Sequence, residues 1–384
     1  MAELINKKYK VTATILTPLH IGAGSEKDWV RGVDYIEKDR ILWHLDMQKM
    51  LAADIDVNRM AQMYASGKEA DVVSLVGSKL QTVSDFYMPM PCSTTNPVKV
   101  FLRNQLTGRP VLAGSSLKGA IRSVLFTYLR DKNETTNNAV FGNLNDSSDF
   151  MRFIRVGDIE FPADSTELVN TKIFNLEGGQ GHWSGGWKHG PNESSDIFQE
   201  TGFNTIYECL PVGEKAEGCI MIADELFNMF VTRNKEQNVP KAINHENKKS
   251  VVLNQPIQYL CNIINAHTRK YIEKEKAFFS HFSQAEYSDY LYADEDDFSG
   301  ATTLMLGELD DLEKNQCVIK MSAGAGFHFI TGDWQYDDYY SGTLDQKRNR
   351  QGAKPKSRKI AITYDGDNMF LDLMGFVKLT FEKC

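Results

Sequence analysis

Lys118 and Arg122 stand four residues apart in the segment VLAGSSLKGAIRSVL, Val111 to Leu125. An apolar strand end runs into Gly114, then Ser115 and Ser116, then a helical pattern. Either serine can cap that helix, because its hydroxyl accepts a bond from an unpaired backbone N–H. Leu117, Ala120, Ile121, Val124, Leu125 and Tyr128 recur at helical spacing and predict a buried stripe. Lys118, Gly119 and Arg122 then fall within two turns of the positive helix end. A capped N-terminus, open N–H groups and two cations make a site for an anion, above all a phosphate. The same spacing also describes an ordinary strand-to-helix turn with two solvated charges.

His20 is the second candidate. It lies in VTATILTPLHIGAG, Val11 to Gly24, where alternating Val11, Ala13 and Ile15 predict a strand with one buried face. Pro18 ends regular pairing, and Gly22 and Gly24 permit a tight loop. A histidine beside such a loop can act as general base on an RNA 2′-hydroxyl, yet no general-acid partner stands near it in sequence. Asp34 reads as a surface residue of a hairpin strand. Other chemistries lack their patterns. No GxxxxGK[ST], HExxH or GxSxG occurs, and the GAG at Gly324 to Gly326 has no third glycine at dinucleotide spacing. The eight histidines are scattered, with His182 and His189 the nearest pair, so neither a metal nor a cofactor is expected. The cysteines at 92, 209, 219, 261, 317 and 384 form no CxxC pair, which predicts reduced thiols and a cytoplasmic location.

TPLHIGAG near the start and AGSSLKGAIRSVL about a hundred residues later together resemble the RAMP superfamily of CRISPR proteins, with Ala113 where that family usually has proline. Met151 to Pro162 (MRFIRVGDIEFP), Met321 to Trp334 (MSAGAGFHFITGDW) and Met374 to Phe381 (MGFVKLTF) resemble its later strand, its glycine-rich C-terminal loop and its closing strand. The order over the whole chain is most similar to the Csm-type head subunit of type III-A complexes, which caps the 3′ end of the guide RNA. The resemblance implies an α+β chain of ferredoxin-like (RRM-like) type with a second, C-terminal RAMP-like part. It implies guide RNA (crRNA) and backbone RAMP subunits as partners, with host trimming nucleases as further candidates. The implied RNA-binding set is His20, Gly22, Gly24, Gly114, Ser115, Ser116, Lys118, Gly119, Arg122, Gly324, Gly326, Arg348, Arg350, Lys354 and Lys356. No catalytic residue is implied for a capping subunit; the alternative is a metal-independent endoribonuclease trimming guide RNA with His20 as base.

Composition is that of a soluble globular chain of 384 residues, divided for expectation into an N-terminal domain, 1–222, and a C-terminal one, 223–384. No apolar run is long enough to span a membrane, and MAELINKKYK has no secretory core. The net charge of −8 excludes a general nucleic-acid binder but not a local basic groove. Leu344 to Lys359 holds seven cations against Asp345; its part from Lys347 to Lys359 is expected to be a mobile loop, either one that closes on RNA or a solvated loop with no partner. The acidic run Glu286 to Asp297 is a candidate partner surface or a solvated loop.

The remaining pattern predicts a hairpin over 33–45 turning near Lys38 to Arg40. A helix follows over 46–65, with Leu45, Met47, Met50, Leu51, Ile55 and Met60 inward. Residues 88–97 read as a loop, 98–103 as a strand, and 131–148 as a mobile polar stretch. Asn175 to Pro191, with six glycines, Trp183 and Trp187, reads as an irregular loop whose tryptophans either stack on bases or tuck into the core. A strand pair is expected around the turn at Pro211 to Gly218, and a long helix over 253–282 broken at Pro256.

Overall fold

The computed structural model describes residues 6–131, 134, 136–143, 149–179, 182–188, 204–236, 246–280, 295–321, 323, 357–365 and 368–384. Its strands are, in chain order, β1 (Lys7–Ile15), β2 (Tyr35–Lys38), β3 (Ile41–Leu45), β4 (Ser84–Pro89), β5 (Val111–Leu112), β6 (Ile154–Val156), β7 (Ile159–Glu160), β8 (Glu167–Gly179), β9 (His182–Trp187), β10 (Thr205–Cys209), β11 (Lys215–Ile222), β12 (Gln316–Lys320), β13 (Ser357–Asp365), β14 (Asn368–Leu373) and β15 (Phe376–Lys383). The helices are α1 (Met47–Ala52), α2 (Val57–Ala65), α3 (Glu69–Val76), α4 (Leu80–Val83), α5 (Gly114–Leu129), α6 (Asn137–Phe141), α7 (Asp224–Glu236), α8 (Glu246–Asn254), α9 (Ile257–Ser280) and α10 (Glu295–Asp310).

The alternation in β1 places Tyr9, Val11, Ala13 and Ile15 on a buried face. The strand sits mid-sheet, antiparallel to β11 on one side and β15 on the other, in the order β12-β15-β1-β11-β6. Strands from both sides of residue 222 are therefore partners in one sheet. Leu117, Ile121, Val124 and Leu125 of α5 and Leu260, Cys261 and Ile264 of α9 share the core with that face. This is the α+β layering expected, with helices against one face of an antiparallel sheet.

A second antiparallel sheet, β10-β8-β13-β14 with β9 added on β8, packs Phe174, Trp187, Ile360, Ile362 and Leu371 against Tyr271 and Ile272 of α9 and Met305 and Leu309 of α10. One helix thus serves two cores. A smaller module, β2-β3-β4 with α1 to α4, closes over Ile36, Met50, Met60, Val72, Val76 and Leu80.

Several expectations are met locally. The 33–45 hairpin turns at Asp39 and Arg40, both left-handed at φ 56° and 59°, the geometry that suits strand twist. Pro256, which cannot continue a helix, separates α8 from α9. β15, the last strand of the chain, enters the first sheet between β12 and β1.

Others are corrected. The 46–65 helix is two helices, because Asp54 is left-handed (φ 56°) and Asp46 and Asp56 each cap a new start, accepting from Lys49 and Arg59 N–H. In the short α1 only Met50 is buried, and Met47 and Leu51 face solvent at 52% and 64% exposure. Tyr128 is likewise 41% exposed, its hydroxyl bonded to that of Tyr259 at 2.9 Å. Asp34 is a turn residue rather than a strand residue, its carboxylate accepting Val30 N–H at 2.7 Å. Residues 98–103 form no strand of their own; they make single bridges to Trp29, Tyr207, Gly22 and Pro110. β10 and β11 are not a pair: the turn after Cys209 sends them to different sheets. Residues 175–179 and 182–187 are strand, β8 pairing β9 through Gly178 opposite Trp183. Trp187 is buried against Phe174, ring centroids 5.3 Å apart, so it packs in the core.

Candidate nucleic-acid interface

Two constellations hold the residues singled out near the α5 entrance and His20, and the backbone ties them together. Residues 98–103 receive the His20 loop on one side, with Ala23 N–H donating to Val100 O and Leu102 N–H to Ile21 O. On the other side Val111 N–H, at the strand feeding α5, donates to Leu102 O.

At the entrance of α5 the N-cap is Ala113, in extended backbone, and no side chain caps through a serine. Ser115 and Ser116 lie inside the first turn, which corrects the expected serine cap. The N–H of Ser116 and of Leu117 both go to Ala113 O, at 2.9 and 3.0 Å. Gly114 N–H donates instead to Asp158 Oδ1 at 2.7 Å, a carboxylate supplied by the β6–β7 turn. That closeness explains Gly114: a Cβ would collide with the Val156 carbonyl and lie 2.8 Å from the Gly157 backbone. Ser115 and Gly119 are exposed, and a Cβ on Gly119 would meet nothing within 4 Å. The outer face of the first two turns is therefore open, with the Ser115 amide lacking an acceptor among the described residues.

The two cations differ. The Arg122 guanidinium is held by Asp149, with Nη1 and Nη2 both 3.1 Å from Oδ2, and lies 4.1 Å over the Phe141 ring. Asp149 is 3% exposed, so Arg122 first of all neutralises a buried carboxylate. Lys118 is half-buried and has no hydrogen bond or ion pair among the described residues. Burial pulls its ammonium below the usual lysine value, with Asp149 opposing and Arg122 and Arg155 reinforcing that pull. Lys118 is the cation left for a ligand.

His20 is 5% exposed. Its Nδ1 lies 2.7 Å from Glu208 O, where it can only donate, which leaves Nε2 as the acceptor of a neutral ring. Burial pushes its pKa below 6.5, and the bond to Glu208 O opposes that shift. The ring meets Tyr207 and Phe101 edge-on, at 4.7 and 6.0 Å between centroids. A Cβ on Gly22 would sit 3.4 Å from Nε2, and Gly24 is left-handed at φ 109°. Glu208 itself is fully buried. It accepts from Arg103, from Thr166 Oγ1 at 2.8 Å and from Phe101 N–H at 2.8 Å, so every face of this carboxylate is satisfied.

The later motifs converge on the same loop. Ala323 N–H donates to His20 O at 3.4 Å, Met321 N–H to Gly375 O at 2.8 Å, and Gly375 N–H to Pro18 O at 3.0 Å. Gly375 is left-handed (φ 90°), and a Cβ there would strike Met321 O. Gly324, Gly326, Arg348, Arg350, Lys354 and Lys356 lie outside the described residues, as does His189. The last two cations of the basic run are strand residues, not loop residues. Arg358 is paired with buried Glu275 at 2.5 Å, and Lys359 bonds the Tyr207 hydroxyl and lies 4.2 Å over its ring. No group of three His, Cys, Asp or Glu side chains able to hold a metal occurs among the described residues.

Sequence reasoning missed Asp149, Asp158, Arg103 and Glu208. Glu208 carried a signal: it occupies the same inward phase of β10 as Ile206, where a charge requires a buried partner. The partners of Arg122 and Gly114 lie 27 and 44 residues away and carry no local signal.

The model of the RAMP superfamily matches residues 12–336. This chain belongs to the RAMP superfamily. No curated protein matches it. Among solved structures it is similar to a chain of a Csm–crRNA–target RNA ternary complex of a type III-A CRISPR-Cas system, at 16% identity and TM-score 0.62, covering 98% of this chain and 100% of the other. It is also similar to T.onnurineus Csm5, at 13% identity and TM-score 0.55, covering 95% and 99%. At these identities the likeness establishes a shared fold over nearly the full length of both chains. No helix among the described residues is long and apolar enough to cross a membrane.

Proposed function

We propose that this RAMP chain is a non-catalytic guide-RNA-binding subunit of a type III-A Csm complex, capping the 3′ end of the crRNA and packing against a backbone RAMP subunit. The observation that carries this reading is Lys118: a half-buried ammonium with no hydrogen bond or ion pair among the described residues, beside the open surface of Ser115 and Gly119 at the entrance of α5. A phosphodiester supplies the missing counter-charge there, and phosphate contact holds RNA without reading its sequence, as any spacer requires. The full-length likeness to Csm chains supports the choice of complex.

His20 supports the non-catalytic part. Its Nδ1 is committed to Glu208 O and the ring is buried, and no hydrogen bond to Nε2 occurs among the described residues, Lys359, Glu208 and Asp28 acting on the ring only electrostatically. In this reading His20 shapes the glycine loop against which RNA lies. Support of crRNA maturation would then consist of marking where trimming by a host nuclease stops.

The test is reconstitution. Adding the purified chain to the other subunits and crRNA should protect the 3′ end of the guide, and omitting it should leave that end unprotected. Cleavage of repeat RNA by the chain alone, lost in His20→Ala, would replace this reading with an endoribonuclease.

A further inference from the structure

β13 begins with two cations that strand alternation sends to opposite faces of the second sheet. Arg358 shares the phase of Ile360 and Ile362, turns toward α9 and is neutralised by buried Glu275. Lys359 shares the phase of Ala361, which packs with Tyr207 on the other face. Its ammonium donates to the Tyr207 hydroxyl and lies 4.2 Å over that ring. It forms no ion pair among the described residues. Two carboxylates share this face and leave it alone: Glu167, opposite Cys209, makes no ion pair among the described residues, and Asp372, opposite Ala361, accepts from Thr363 Oγ1 at 2.7 Å. An ammonium carries three N–H donors; one is used here, and the side chain is only half-buried.

Tyr207 ties this cation to the His20 loop. The same ring meets the His20 imidazole edge-on, 4.7 Å between centroids. Both distances run from one ring centre, so the ammonium lies no more than about 9 Å from the imidazole, roughly one Debye length. The backbone makes the same link. Lys99 N–H donates to Ile206 O at 2.9 Å and Glu208 N–H to Lys99 O at 2.8 Å. Tyr207 is thus held on the segment 98–103, which also receives the His20 loop and the strand feeding α5.

We propose that Lys359 holds a backbone phosphate of RNA lying on the His20 loop, with Tyr207 as the positioning residue that fixes its ammonium. This rests on the RNA-binding reading above and extends its site from the two motifs to the second sheet. The ring face under the ammonium is taken, so Tyr207 acts as a support through cation–π contact and its hydroxyl, not as a stacking platform for a base. An ammonium already ordered against a ring loses little further freedom when an anion arrives, which favours binding.

The experiment compares the full-length protein with Lys359→Met, Lys359→Arg, Tyr207→Phe and Lys118→Ala, measuring affinity for single-stranded RNA across a salt series and thermal unfolding of each. Met keeps the apolar stem and removes the charge. Lys359→Met should lose RNA affinity roughly threefold to tenfold, with the slope of log affinity against log salt reduced by about 0.7 for one lost phosphate contact. Lys359→Arg should restore the slope. Tyr207→Phe keeps the ring and the charge but removes the hydroxyl, so it should weaken binding less than Lys359→Met and leave the slope as in wild type. In wild type, RNA should also shield Lys359 from acylation by an amine-reactive ester, read by mass spectrometry, a readout that needs no variant to fold. Unchanged affinity and slope in Lys359→Met, while Lys118→Ala binds less well, would overturn the proposal and leave the RNA-binding reading standing. A lower melting temperature with an unchanged slope would make Lys359 a packing residue of the second sheet and overturn it too. Acylation of Lys359 slowed in the assembled complex but not by RNA alone would overturn it in favour of a subunit contact. If the wild type binds no RNA, both readings fall together.

Discussion

Arg122 and Asp149 form a two-nitrogen ion pair under the ring of Phe141, with the carboxylate side chain only 4% exposed and the guanidinium 25% exposed. This pair separates the two cations of the α5 face into different tasks. Arg122→Ala leaves a buried carboxylate uncompensated and should cost about 3 kcal/mol, the lower end of what breaking a buried pair costs, since Arg122 is partly solvated. Lys118→Ala should change stability by less than about 0.5 kcal/mol and weaken RNA binding uniformly across sequences. Urea unfolding and filter binding on both variants check this division; equal stability of the two would refute it.

His20 gives the fold a dependence on acid. Its folded pKa is pushed below 6.5 by burial. The unfolded chain therefore binds the proton first as pH falls, and the histidine's contribution to stability is present above 6.5 and lost as pH drops through the folded value. The stability of wild type relative to His20→Gln should shrink between pH 7.5 and pH 5. A difference that stays constant over that range would mean the ring is solvated in the folded protein.

What the sequence made legible was local. The α5 stripe, the alternation in β1, the Asp39–Arg40 turn and the break at Pro256 each follow from residues within a few positions of one another. The illegible features are settled across the chain. The glycine-rich residues 175–179 and 182–187 are strand where β8 already pairs with β13, more than 170 residues on, at Ile173 opposite Lys359. A strand pair built on that template needs little propensity of its own. Likewise Ser115 looks like a cap until Asp158 arrives from the neighbouring turn and takes Gly114 N–H. The glycine and lysine positions of the site were readable; the carboxylates that decide which cation stays open were not.

Glu208 should be the least replaceable charge behind the His20 loop. Glu208→Gln puts an amide donor against Arg103, Thr166 or Phe101 N–H, whichever oxygen it replaces. The expected loss is about 3–5 kcal/mol, with weaker RNA binding as the Ile21–Gly24 loop shifts. Conservative Thr166→Ser, which keeps the hydroxyl, should cost less than about 1.5 kcal/mol. Chemical denaturation of the two variants ranks them, and a Glu208→Gln protein as stable as Thr166→Ser would show that the network carries no weight.

Lys320, at the end of β12, supplies the last prediction. It is 3% exposed, its Nζ bonds Tyr271 Oη at 2.8 Å, and it lies 4.7 Å over the Tyr271 ring and 5.0 Å over that of Phe376. Burial pulls its pKa down to about 8 from 10.5, with Glu275 opposing and Arg358 reinforcing. The unfolded chain holds this proton at higher pH than the folded one, so protonation penalises the fold below pH 8. The penalty is relieved as pH rises from about 8 to about 10.5. Other buried groups, among them the Tyr271 hydroxyl and the Cys317 thiol with raised values, titrate the opposite way and mask the trend in wild type alone. The difference between wild type and Lys320→Met isolates it. Wild type should gain on the variant through that window by at most about 3 kcal/mol, measured by urea unfolding at pH 7.5 and pH 10. A difference between wild type and variant that stays constant over the same window would place the Lys320 ammonium in water instead.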